Sequence, residues 1–165
     1  MLMEKGADIE AEDDHRITAL SYAARNEKES VVLLLLEKGA DIETADDIGQ
    51  TPLHEFVRCG NVAMVRQLLE KGADVETKDR RGNSALFHAA LHGREDVMRL
   101  LIEGGTNVET TNERGETPII VVAWDGQEDM VGLLIEKGAD IEKKTREGMR
   151  VLRFSAQEGH LGVVR

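Results

Sequence analysis

Cysteine is almost missing from this chain. Cys59 stands alone, so no internal disulfide can form, and a reducing intracellular compartment, cytoplasmic or nuclear, fits best. Aromatic residues make up only 3% of the chain, so a core has to be built from Leu, Val, Ile, Met and Ala. No apolar run is long enough to span a bilayer. The opening "MLMEKGADIE" has neither a basic flank nor an apolar segment of signal-peptide type. Positive charge is also short: 21 Lys and Arg face 32 Asp and Glu, for a net charge of −11. That balance argues against nucleic acid, which calls for a basic footprint, and against an anionic membrane surface. With 41% hydrophobic and 32% charged residues over 165 positions, the chain reads as one soluble globular domain or one array of smaller units.

Catalytic and metal-binding patterns are lacking too. His88 and His92 in "HAALH" lie at i and i+4 and share a helix face. Zinc would need a third ligand, and the zinc-peptidase pattern needs a Glu where Ala89 stands. The expectation is a packed His88 and an exposed His92. Cys59 is near His54 in sequence, but no acid or oxyanion pattern supports a nucleophile; it reads as a partly exposed thiol in a loop. "RGNSALFHAALHG" matches no phosphate-cradling loop. No enzyme activity, metal or cofactor is expected.

What is there is a repeat. "EKGAD" occurs at 4–8, 37–41, 70–74 and 136–140, with a divergent "EGGTN" at 103–107. Gly6, Gly39, Gly72, Gly105 and Gly138 follow one another at steps of 33 residues, and so do Thr18, Thr51, Ser84, Thr117 and Arg150. Chance does not hold one register over a whole chain. Within 46–78, Thr51 suits a helix N-cap through its hydroxyl, and Pro52 suits the first helical position. That helix is expected to run to about Arg58 and to break at Gly60. A second helix is expected over 62–70, with Val65, Leu68 and Leu69 at helical spacing and Gly72 ending it. Two short helices cannot bury their apolar faces alone. Stacked copies can, and stability then becomes a sum over neighbours.

On "TPLH" at 51–54, "EKGADVETKD" at 70–79 and the 33-residue step, the chain resembles the ankyrin repeat family along its whole length. The resemblance implies an all-α solenoid of helix–turn–helix units joined by β-hairpin-like loops. Full units fall at 13–45, 46–78, 79–111 and 112–144, with part-units at 1–12 and 145–165. Arg16 replaces the turn glycine held by Gly49, Gly82, Gly115 and Gly148. "TPLH" becomes "TALS", "SALF", "TPII" and, furthest from the pattern, "RVLR" at 150–153. His54 resembles the family's structural histidine, which hydrogen-bonds within and between repeats. The "GADIE" wording, with Glu where Asn is commoner, resembles large fungal ankyrin arrays. Met1 is expected to begin inside a second helix and Arg165 to stop inside another. The two part-units together make one 33-residue unit. This reads as a slice of a longer array, monomeric, with head-to-tail association through uncapped ends as the alternative.

Glu10, Glu43, Glu76, Glu109 and Glu142 recur at one place per unit. They are expected to form a solvated carboxylate ladder, its mutual repulsion mild at physiological salt. The resemblance implies a protein-binding surface of hairpin tips and the concave helix. Mapped onto this chain, it selects Ile48, Arg58, Arg81, Leu91, His92, Arg114, Trp124 and Asp125, with Ile17 and Met149 as further exposed apolar positions. Trp124, the only tryptophan, occupies a place held elsewhere by Arg25, Arg58, Leu91 and Gln157. A core would not accept that set, so Trp124 is expected to face solvent beside Leu91. A contact patch of Leu91, Trp124, Arg81 and Arg114 follows, since Trp and Arg are favoured hot spots. The competing expectation is that Trp124 only covers apolar surface on the neighbouring helix. Two functions therefore stand: a module binding a protein partner, or a structural spacer with no ligand on this face. The partner's identity does not follow from the residues.

Overall fold

The computed structural model describes residues 5–165. The expected start within a helix falls on residues 1–4 and lies outside the described residues. Ten helices follow one another among the described residues: α1 (Ala19–Arg25), α2 (Glu29–Glu37), α3 (Pro52–Cys59), α4 (Val62–Glu70), α5 (Ala85–Leu91), α6 (Glu95–Glu103), α7 (Pro118–Trp124), α8 (Glu128–Glu136), α9 (Val151–Glu158) and α10 (Leu161–Val164). Each odd-numbered helix packs on the even-numbered helix that follows it. The odd helices also pack on one another in a row, α1 through α9, which makes two layers.

Two of the odd helices, α1 and α5, start on a hydroxyl that accepts a backbone N–H. Thr18 accepts from the Ser21 N–H at 3.2 Å, and Ser84 accepts from the Phe87 N–H at 3.4 Å. Each bond satisfies an N–H that the first helical turn leaves open. At α3 the histidine does the work instead. His54 Nδ1 receives the Thr51 N–H at 3.1 Å and sits 2.9 Å from the Thr51 hydroxyl. Since Nδ1 accepts, Nε2 carries the proton and donates to the Thr77 carbonyl at 3.1 Å. The helix start is thereby tied to the loop that closes the same unit.

The apolar faces meet between the layers. Leu20, Leu53, Phe56, Leu86, Ile119 and Ile120 come from the odd helices and are fully buried; Met64, Leu68, Met98, Leu101 and Leu134 come from the even ones. Each such side chain contributes about 1.5–3 kcal/mol on burial. This supplies the core despite the scarcity of aromatics.

Between units the chain turns in tight hairpins. The Asp46 N–H donates to the Gln50 carbonyl at 3.0 Å, and Asp79 and Asn112 do the same to Asn83 and Glu116. In the fifth hairpin, where the sequence departs furthest from pattern, Thr145 still donates to Met149 at 2.9 Å. The tips are joined in series: Arg80 N–H to Ile48 carbonyl, Glu113 to Arg81, and Arg146 to Arg114, at 3.0–3.1 Å. β pairing itself is limited to one isolated bridge among the described residues, Lys78 with Ser84.

The recurring glutamates correct an expectation. They do not merely face water. Glu10, Glu43, Glu76 and Glu109 each accept the backbone N–H of the residue 31 positions on, Asp41, Asp74, Asn107 and Asp140, at 2.8–2.9 Å. Glu76 also receives the Thr106 hydroxyl, and Glu109 pairs with Lys143 at 2.7 Å. Each carboxylate therefore clamps its unit to the next.

Candidate functional site

The ends of the odd helices and the hairpin tips enclose a chain of shallow hollows. The first is lined by Ile48, Arg58, Arg80, Arg81, Leu91 and His92, among others, with a volume of about 400 Å³. The next has Arg81, Phe87, Leu91 and Arg114. A third has Leu91, Arg114, Val121, Trp124 and Asp125. All eight residues selected from the sequence thus line one of three adjoining hollows, and Leu91 lines each of them.

Trp124 is 42% exposed, and Leu91, one unit earlier, is 45% exposed. The tryptophan is also stacked. Its ring lies 5.0 Å from that of Phe154 at an interplanar angle of 26°, and Phe154 keeps only 3% of its surface. Trp124 therefore both covers its neighbour and presents an open face. Its position is fixed from behind as well, since His160 Nε2 donates to the Trp124 carbonyl at 2.7 Å. Arg94 Nε holds the Arg58 carbonyl in the same way at 2.9 Å. In each case a helix end left with an open carbonyl is capped from the next unit. Arg58 is drawn back along its own helix to Glu55 at 2.7 Å.

Two expected exposures are wrong. Ile48 is open at its hairpin tip, but Ile17 and Met149 are half-buried. Met149 packs against the core cluster. Sequence reasoning also missed Phe87, Val121 and Phe154 as part of the hollows and their floor. Phe87 stands at the place of His54. Val121 and Phe154 stand 30 residues after Leu91 and Trp124, which is the offset at which one unit's helix end meets the next unit's helix.

Beneath the first hollow lies a buried polar cluster. His88 is 3% exposed, and its Nε2 donates to Asp79 Oδ2 at 2.9 Å. Asp79 also receives the Arg81 and Asn83 N–H groups and the Asn83 amide. Burial opposes ionisation of Asp79, but these hydrogen bonds outweigh it and hold the carboxyl below its usual range. Burial, followed by the His54 ring 5.1 Å away, pushes His88 down to about 4. His88 is packed and His92 is exposed, their rings 6.1 Å apart. Cys59 is not in a loop. It is the last residue of α3, half-buried, and burial followed by the Glu27 carboxylate pushes its thiol up to about 11. Such a thiol is a poor nucleophile at neutral pH.

Among the described residues no group of three or more His, Cys, Asp or Glu side chains is placed to hold a metal ion. No described helix is long and apolar enough to cross a membrane.

Family models agree with this architecture. The model for the ankyrin repeat matches residues 15–47, that for ankyrin repeats in three copies matches 44–112, and that for ankyrin repeats in many copies matches 122–165. No individual curated protein matches the chain.

Proposed function

Because this chain belongs to the ankyrin-repeat family, whose repeats are in general protein–protein interaction modules, we propose that it binds a partner protein in the groove of hollows between helix ends and hairpin tips. The contact residues of this reading are Trp124, Leu91, Arg81, Arg114, Arg58, Ile48, His92 and Asp125. One observation carries it: Trp124 remains 42% exposed although a buried aromatic lies directly against it. That open face adjoins the exposed Leu91 in one mainly apolar hollow. Large aromatics with desolvated neighbours are where binding free energy concentrates.

Capture from a proteome by the wild-type chain and two groove variants, Trp124→Ala and Leu91→Asp, tests the reading. Ile135→Asp, at an exposed position of α8 outside the lining of the three hollows, serves as control. A protein held by wild type and by the control but lost by both groove variants is the expected result. Leu91→Asp matters because Trp124→Ala also uncovers Phe154 and could act through folding alone. A second reading has the Trp124–Phe154 stack in its favour: a structural spacer, in which the tryptophan only seals a unit boundary. Equal capture by all four proteins would favour it.

A further inference from the structure

The groove is not electrostatically uniform, and its polarity restricts what fits. Some cations of this acidic chain find carboxylates, as Arg99, Lys143 and Arg150 do with Glu95, Glu109 and Glu142, and many do not; what distinguishes the hairpin arginines is their place on the groove. Arg80, Arg81, Arg114 and Arg146 make no ion pair among the described residues, and all four sit at hairpin tips on the groove. The tips hold them by their backbones, through the serial bonds from Arg80 to Ile48, Glu113 to Arg81 and Arg146 to Arg114. Their side chains are left without a partner.

At the first hollow Arg58, Arg80 and Arg81 stand with Asp47 and Asp79. Arg58 is already paired with Glu55, and Asp79 is saturated by its four hydrogen bonds, so the side chains left open to a ligand there are the two guanidinium groups of Arg80 and Arg81 against the one carboxylate of Asp47. At the far end carboxylates outnumber guanidinium groups: Glu113, Glu116 and Glu147 stand with Arg114 and Arg146. Between the two ends, the hollow of Leu91, Val121 and Trp124 is mainly apolar.

We infer that the groove takes an extended protein segment carrying carboxylates beside a large apolar side chain, with the acids against Arg80 and Arg81 and the apolar residue against Leu91 and Trp124. This rests on the groove being the binding face, as proposed above. Charge complementarity fixes direction. The reverse placement would set the acids of the segment against Glu113, Glu116 and Glu147, and like charges disfavour a register strongly.

The test uses the full chain against a displayed library of random dodecapeptides, with enriched sequences then made as fluorescein-labelled peptides. Binding is measured to wild type, Arg81→Glu and Leu91→Asp. Arg81 is exposed and its side chain bonds to nothing, so its reversal leaves the fold intact. Expected are peptides with Asp or Glu adjacent to Trp, Phe or Leu. These should weaken about tenfold or more with Arg81→Glu, weaken with Leu91→Asp, and weaken further as salt rises. Peptides that depend on Leu91 but lack acids, or that ignore Arg81→Glu, would overturn the inference and leave the groove reading standing. Peptides indifferent to both variants, or no enrichment at all, would overturn both.

Discussion

Arg16 and Glu27 have φ values of 59° and 56°, in the left-handed region that costs an ordinary side chain about 1–2 kcal/mol. One unit later the same two places are held by Gly49 and Gly60, at φ 80° and 79°. The first described unit therefore carries strain that later units avoid. Arg16→Gly should stabilise the chain by roughly 0.5–1 kcal/mol, since relief of strain exceeds the added freedom of the unfolded chain. Gly49→Ala should act the other way and cost about 1–2 kcal/mol, because its Cβ would also stand 2.9 Å from the Arg80 backbone nitrogen. Urea unfolding of the two variants reads both signs; a destabilised Arg16→Gly would mean the strain is absent. His88 gives a second prediction at this scale. Its folded value, about 4, lies below the unfolded 6.5. Between those values the unfolded chain binds the extra proton. Stability is therefore complete above about pH 6.5 and falls by roughly 1.4 kcal/mol for each unit of pH lost toward 4. His54, also lowered by burial, adds in the same direction. Melting at pH 7.5 and pH 5 should show a smaller acid loss for His88→Gln than for wild type. Equal losses would assign the acid sensitivity to other groups.

Among the elements, the glutamate clamps are the joints between units. Glu76→Ala removes the acceptor of both the Asn107 N–H and the Thr106 hydroxyl, each at 2.8 Å. Two hydrogen bonds at an exposed site contribute about 1–2 kcal/mol together. Glu76→Gln should lose less, because its amide oxygen still accepts. The same substitution at Glu113, which bonds to nothing through its side chain, should fall within about 0.5 kcal/mol of wild type. Denaturant midpoints decide it, and equality of Glu76→Ala with the Glu113 control would return the ladder to a solvated face. The reason this clamp was not legible in the sequence is physical. Its partner is a backbone N–H, which every residue but proline has, so no residue type marks it. What was legible depended on side chains with a local signature. Pro52, Gly60 and Gly72 bracket α3 and α4 where the repeat register puts them, and the alternation of Leu and Val supplies the buried faces. The exposed place of Trp124 followed from Arg25, Arg58 and Gln157 at equivalent steps. Its stack on Phe154 did not, because the offset between one helix end and the next helix is set by how the units pack, not by any local pattern.

As a whole the molecule is a row of units in which each touches its neighbours, so unfolding need not be all-or-none. The fifth unit is held less well than those before it. Arg150 stands where Thr18 and Ser84 place a capping hydroxyl and makes no side-chain cap, and Leu152 is 61% exposed. Against this stands the Trp124–Phe154 stack, which spans the boundary between the fourth and fifth units. Trp124 is the only tryptophan, so its fluorescence reports on that one boundary, while far-UV circular dichroism averages all ten described helices. In urea the fluorescence transition should come first. Arg150→Thr, which puts back the hydroxyl that caps at Thr18 and Ser84, should bring it closer to the helical transition, by an amount corresponding to about 1 kcal/mol of cap energy. Coincident curves in the wild type would show that the fifth unit unfolds with the rest and that neighbour coupling exceeds the deficit at its cap. The groove residues sit across this boundary, Leu91 and Arg114 on the well-held side and Trp124 at its edge. A partner seated against Trp124 therefore also stabilises the fifth unit, and its binding should delay the fluorescence transition more than the helical one.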